Sequence, residues 1–151
     1  MDRTMDIDGA GRSFVRFRAV VPTRPGWFPG VFALVNGLAR AGCLSIDQEE
    51  FRRRENAWYQ AHLVDPGVVD PSVYDRRRHP GAAAWFKVSA AEMISRVAGY
   101  TAILDAHGVG WVRSESTSPG TILYEDAHQI IAEPPASDRG PVAERGAAGL
   151  G

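Results

Sequence analysis

Lysine is almost missing from this chain, cysteine nearly so, and neither sign of charge prevails. Cys43 is the single cysteine, which excludes an intramolecular disulfide and any cysteine-based zinc site built within one chain. Seventeen basic side chains against eighteen acidic ones leave a net charge of −1. No overall field therefore draws the protein to nucleic acid or to anionic lipid. No apolar run approaches the roughly 18 residues of a membrane helix, and Met1-Asp2-Arg3-Thr4-Met5-Asp6 is too acidic and polar for a secretory leader. The expected setting is cytoplasmic, away from membranes. A P-loop, a dinucleotide fingerprint, a Gly-x-Ser-x-Gly elbow and a His-Glu-x-x-His helix are also missing, so no nucleotide cofactor is implied.

What is present fits one α+β domain. The hydrophobic content of 44% suffices for one core in 151 residues. Residues 1–12 and 134–151 are polar or rich in Pro, Gly and Ala, and are expected to be disordered tails around a domain spanning 13–133. In Phe14–Val21, Val15, Phe17, Ala19 and Val21 alternate with Arg16 and Arg18, the period of a half-buried strand. After a Pro/Gly-punctuated turn, Val31, Leu34, Val35 and Leu38 recur at helical spacing until Gly42. Ser45-Ile46-Asp47-Gln48 has the form of a capping box and predicts a second helix to about Leu63.

Periodicity then lapses from Val64 to Ala82, a nineteen-residue loop carrying Asp65-Pro66-Gly67, Asp70-Pro71, three arginines and His79-Pro80-Gly81. Loops of that length inside compact domains are often binding segments. A short strand at 83–88 follows. Ser89-Ala90-Ala91-Glu92 reads as a second capping box, opening a helix with Met93, Val97, Tyr100 and Leu104 on one face. Strands near 109–115, 121–126 and 128–132 are expected to form a three-strand antiparallel meander, in a mixed or antiparallel sheet with helices packed on it.

Asp70-Pro71-Ser72-Val73-Tyr74-Asp75, His79-Pro80-Gly81-Ala82, Trp85-Phe86-Lys87 and Pro119–Asp126 resemble segments of a family of uncharacterised small proteins from high-GC, actinobacterial-type bacteria. The resemblance covers about residues 45–133 and implies no activity. Sixteen arginines against one lysine, with abundant Ala, Gly and Pro, agree with such a genome's codon bias.

Candidate chemistry gathers in three places. Lys87 shares a strand face with Trp85, and an amine, unlike a guanidinium, can lose its proton and act as Schiff-base nucleophile or general base. The alternative is a plain surface lysine. The loop offers Tyr74, Arg76 and His79, able to hold an anion and move a proton, or simply to neutralise one another in water. Tyr124, Glu125, Asp126 and His128 put two carboxylates and an imidazole at a tight turn, which could form an acid/base pair or a polar hairpin tip. The four histidines lack ligand spacing, so metal is a weak signal and no metal site is assigned. Glu49 and Glu50 four residues before Arg53 and Arg54 favour a solvated helix face over a nucleic-acid contact. Cys43 reads as a buried or half-buried thiol.

The expected function is a small-molecule enzyme acting on an anionic or carbonyl-containing metabolite. Lys87, His79, Glu125 and Asp126 would be catalytic, and Arg16, Arg18, Tyr74, Arg76, Trp85, Tyr124 and His128 would hold the ligand. The competing reading is a non-catalytic ligand-binding or protein-interaction domain. A homodimer is compatible with both.

Overall fold

The computed structural model describes residues 12–135. The tails expected at 1–12 and 134–151 therefore fall almost wholly outside the described residues. Five strands, β1 (Phe14–Ala19), β2 (Ala83–Lys87), β3 (Trp111–Ser116), β4 (Thr121–Glu125) and β5 (Gln129–Glu133), form one antiparallel sheet in the order β3-β1-β2-β5-β4. The helices are α1 (Val31–Arg40), α2 (Ile46–His62), the single turn α3 (Pro66–Val69), α4 (Ala91–Ser95) and α5 (Val97–Ala106), with a 3-10 turn at Pro71–Tyr74. The α+β class holds. None of the helices among the described residues is long and apolar enough to cross a membrane.

One helix start follows the sequence closely. The Ser45 hydroxyl accepts from the Gln48 N–H (3.1 Å) and the Gln48 side chain accepts from the Ser45 N–H (2.9 Å), completing the capping box of α2. The second expected box does not form. Ser89 lies in the turn that closes β2, where the Ala90 N–H donates to the Lys87 carbonyl, and the helix starts one residue later on Ala90 without a side-chain cap. An irregularity at Arg96 divides that helix into α4 and α5. Its apolar face is as expected: Met93, Val97, Tyr100 and Leu104 are all buried, packed with Val31, Val35, Tyr59 and Phe86.

Helices cover only part of that sheet face. Ile131, Leu123 and Tyr124 of β4 and β5 pack instead under Val73 and Ala82 of the 64–82 loop. That segment, expected to be irregular, contains α3 and the 3-10 turn because Asp65 and Asp70 each accept from an N–H two residues on and Pro follows each of them.

The expected meander is wrong in one respect. β4 and β5 form a hairpin, but β3 joins the far edge, pairing with β1 over six residues from Phe14↔Ser116 to Ala19↔Trp111. Ser116 and Thr121 thus begin and end a short link between opposite edges of the sheet. Four strand spacings would separate the edges by about 19 Å in a flat sheet, whereas five residues of chain reach at most about 18 Å. The sheet must curl, and the link crosses its concave face, where Pro119 meets Arg16, Arg18, Ala83 and Trp85 around one hollow. This explains why the face opposite the helices is also buried: Phe14, Ile130 and Ala132 form a small core there with Trp85. Arg16 is buried with them rather than half-solvated.

Gly120 closes the link with φ at +138°, against the Glu133 carbonyl, which leaves no room for a side chain. Gly120→Ala should lose about 1–3 kcal/mol in urea unfolding, from strain of this kind plus the displaced backbone. Gly42→Ala, at φ +73° in open space, should lose only about 1 kcal/mol; equal losses would remove the link's role in holding the curl.

Candidate ligand-binding site

Pairing between β1 and β2 stops after Phe14↔Lys87 and Val15↔Phe86. Beyond that point the returning turn takes the place of β2 beside β1: the Ala19 N–H donates to the Pro29 carbonyl (2.8 Å) and Arg18 bridges Gly30. Proline explains the substitution, since Pro29 can accept from a neighbouring strand but has no N–H to extend a ladder. The two strands part around Phe17 and Ala84, and a cleft of about 350 Å³ opens there.

Its walls are mostly apolar. Phe32 and Ala33 of α1 and Leu63 after α2 form one side, Ala82–Phe86 the other, with Trp27 of the returning turn and Tyr74 of the loop at the rim. The cleft follows the seam between the helices and the loop, so both coverings of the sheet shape it. The loop is fixed at both ends. The Gln129 side chain, 3% exposed, donates to the Val64 carbonyl (2.8 Å), while Glu133 accepts from the Gly81 N–H (3.0 Å) and faces His79 Nδ1 (2.9 Å).

Arg16 is the unusual group. It is 9% exposed, and its Nη2 donates to the Phe28 carbonyl (2.8 Å). Among the described residues it has no carboxylate partner. A guanidinium carries five donors, and a buried charge is ordinarily paired. Burial, reinforced by the charge of Arg18, pulls its pKa down to about 10, with Tyr74 acting in the opposite direction. It remains a cation at neutral pH. Arg18 lies beside it with its guanidinium over the Phe28 ring, 4.3 Å from the centroid, and donates to the Ala19 carbonyl; desolvation lowers its pKa too. Tyr74 is 44% exposed as a residue, yet partial burial, with the charge of Asp65, raises its pKa to about 12. It is a neutral donor.

Of the expected site residues, Arg16, Tyr74 and Trp85 meet at the cleft, and Arg18 flanks it in the adjoining hollow with Trp27 and Trp85. The others lie elsewhere. Lys87 Nζ is 2.6 Å from Glu125 Oε2, which also takes Arg12, at one end of β5. His79 meets Glu133 at the other end. These partners are separated by the Ile130–Glu133 stretch of β5, about 10 Å at the strand rise, so Lys87 and His79 are not brought into one pocket.

Asp126 organises its own turn, accepting from the Tyr124 hydroxyl (2.7 Å), the His128 and Gln129 N–H groups and the Gln129 side chain. Those bonds outweigh its burial and hold its pKa below the usual value. His128 borders a separate hollow with Trp58, His62 and Glu92, and Arg76 is exposed at the loop's surface. No group of His, Cys, Asp and Glu among the described residues is arranged to hold a metal. Cys43 is exposed, contrary to expectation, because the tight turn between α1 and α2 leaves it outside the core.

Trp27, Phe32 and Gln129 escaped the sequence reading as site residues. Gln129 had a signal, an amide heading the apolar strand Gln129-Ile130-Ile131-Ala132; Phe32 had none, since it lies off the expected core stripe of its helix.

No family model, no curated protein and no solved structure matches this chain.

The Lys87–Glu125 pair has a pH signature. The Lys87 hydrogen bond, against partial desolvation and with the charges of Lys87 and Arg12, holds the Glu125 carboxyl below its ordinary value. A depressed folded-state pKa stabilises the fold above the ordinary carboxylate value of about 4.3. That contribution fades as pH falls through the depressed value. Glu125→Gln should therefore destabilise the protein at pH 6 and much less at pH 3; an equal loss at both would show that the pair contributes nothing through charge.

Proposed function

We propose that this domain binds a small, largely apolar molecule through an anionic group, with Arg16 as its counter-charge. The observation that carries this is a buried arginine, unpaired among the described residues, at the edge of an apolar cleft. A volume of about 350 Å³ falls at the lower end of the range for small-molecule sites. A carboxylate there would receive charge-assisted hydrogen bonds from a guanidinium that is already largely desolvated. Tyr74 adds a neutral donor from the loop, and Trp27 and Trp85 supply flat walls.

Geometry favours binding over the catalytic reading. A Schiff-base or acid/base mechanism would need Lys87 and His79 in the cleft, but the ammonium is held by Glu125 and the imidazole by Glu133, outside it. The resemblance to uncharacterised proteins of high-GC bacteria, and with it a cytoplasmic setting, belongs to the same proposal and implies no activity that would favour the enzyme.

A thermal-shift panel of aromatic and branched aliphatic carboxylates, each beside its neutral carboxamide, tests the reading. A ligand at a hundred times its Kd stabilises by about 2.7 kcal/mol. The acids should raise Tm, the carboxamides should not, and Arg16→Met should abolish the response. Equal shifts from acids and carboxamides, or a full response in the variant, would contradict it.

A further inference from the structure

A cleft made by parting two strands presents backbone as well as side chains, and the register identifies which groups face it. The Val88 N–H donates to the Ser13 carbonyl (3.1 Å) and the Ala19 N–H to the Pro29 carbonyl (2.8 Å). Alternation along a strand then turns the peptide groups of 13, 15, 17 and 19 toward β2. On β2 the Lys87 N–H donates to the His128 carbonyl (2.8 Å), so 83, 85 and 87 turn to β5 and 84 and 86 turn to β1. Phe17 and Ala84 thus face each other where an unbroken ladder would have joined them, and both line the cleft. The Phe17 carbonyl lies close against Gly30 at the Arg18–Gly30 bridge. The split therefore offers the Phe17 N–H, and both the N–H and the carbonyl of Ala84.

These groups complement more than an anion. Arg16, the Phe17 N–H and the Ala84 N–H suit acceptor oxygens, whereas the Ala84 carbonyl requires a donor. Resting on the anion-binding reading above, we infer that the ligand is an N-acyl α-amino acid. Its carboxylate is held by Arg16 and a strand N–H, and its amide N–H donates to the Ala84 carbonyl. Its apolar side chain lies among Phe32, Leu63 and Phe86. An extended amide is what a parted strand edge is shaped to receive, and in an α-amido acid the donor N–H and the carboxylate share one carbon, matching groups on two facing strands. The same chemistry occurs at the C-terminus of a peptide.

The probes are N-hexanoyl-phenylalanine, its N-methylated amide, its carboxamide, and a pentapeptide ending in phenylalanine. Each is titrated against the full chain by calorimetry, with tryptophan fluorescence as a second readout, since Trp27 and Trp85 border the site. The parent acid should bind. N-methylation, which leaves the Ala84 carbonyl buried without a donor, should weaken binding at least about tenfold, and loss of the charge in the carboxamide should do at least as much. Parent and N-methyl compound binding equally would overturn the amide assignment while leaving the anion reading intact. Parent and carboxamide binding equally would overturn both. Binding by none of the four would overturn the amide assignment, with the plain carboxylates deciding the anion reading separately. A pentapeptide as tight as the parent assigns the site to peptide C-termini, and one at least tenfold weaker assigns it to a free acylated amino acid.

Discussion

The rest of the structure depends on the early parting of β1 and β2. A six-residue strand fully paired with β3 on one edge meets β2 over only two residue pairs on the other. The chain from Trp27 to Gly30 then occupies the vacated edge, and the seam between the helices and the 64–82 loop runs over the same place. Full pairing would have closed the cleft and moved Arg16 into a continuous sheet. Parting costs ladder hydrogen bonds, which the returning turn restores only at Ala19. Such local departures from regular pairing are what functional sites commonly carry.

Arg16 shows how the curl and the split act together. On a flat sheet with one bare face its guanidinium would reach water. Because β3 connects to β4 from the opposite edge in so few residues, the link crosses that face and encloses the side chain. The cation then has a carbonyl and a neighbouring tyrosine as company and a second arginine beside it. A cation so placed carries a desolvation cost, which one carbonyl hydrogen bond offsets only in part. Lys87 and Glu125 illustrate the contrary case, a half-buried but paired charge with ordinary geometry and a modest structural role.

Local signals in the sequence were legible where local physics decides. The α2 capping box and the buried stripe of Met93, Val97, Tyr100 and Leu104 depend on residues within a few positions of one another, whereas the half-buried alternation expected from Phe14 to Val21 fails: the strand ends at Ala19, Phe14 and Arg16 are buried on the face expected to be open, and Val21 is exposed. Strand order was not legible, because the 117–120 link can as easily form a hairpin as cross a curled sheet, and only long-range packing selects. The site was partly visible. Arg16, Tyr74 and Trp85 could be named by type, but their meeting depends on the split, which no local pattern records. Lys87 drew notice by its rarity, a property of composition and not of position.

The central claim is that Arg16 is retained for a ligand at the expense of the fold. Its most direct test is urea unfolding of the ligand-free protein and of Arg16→Met at pH 7. The account predicts a variant that loses no more than about 1.5 kcal/mol, the low end of what a hydrogen bond from a charged group is worth, or that is more stable than the parent. A loss of about 3 kcal/mol or more, as when a buried ion pair is broken, would show that the guanidinium holds the structure together and would contradict the claim.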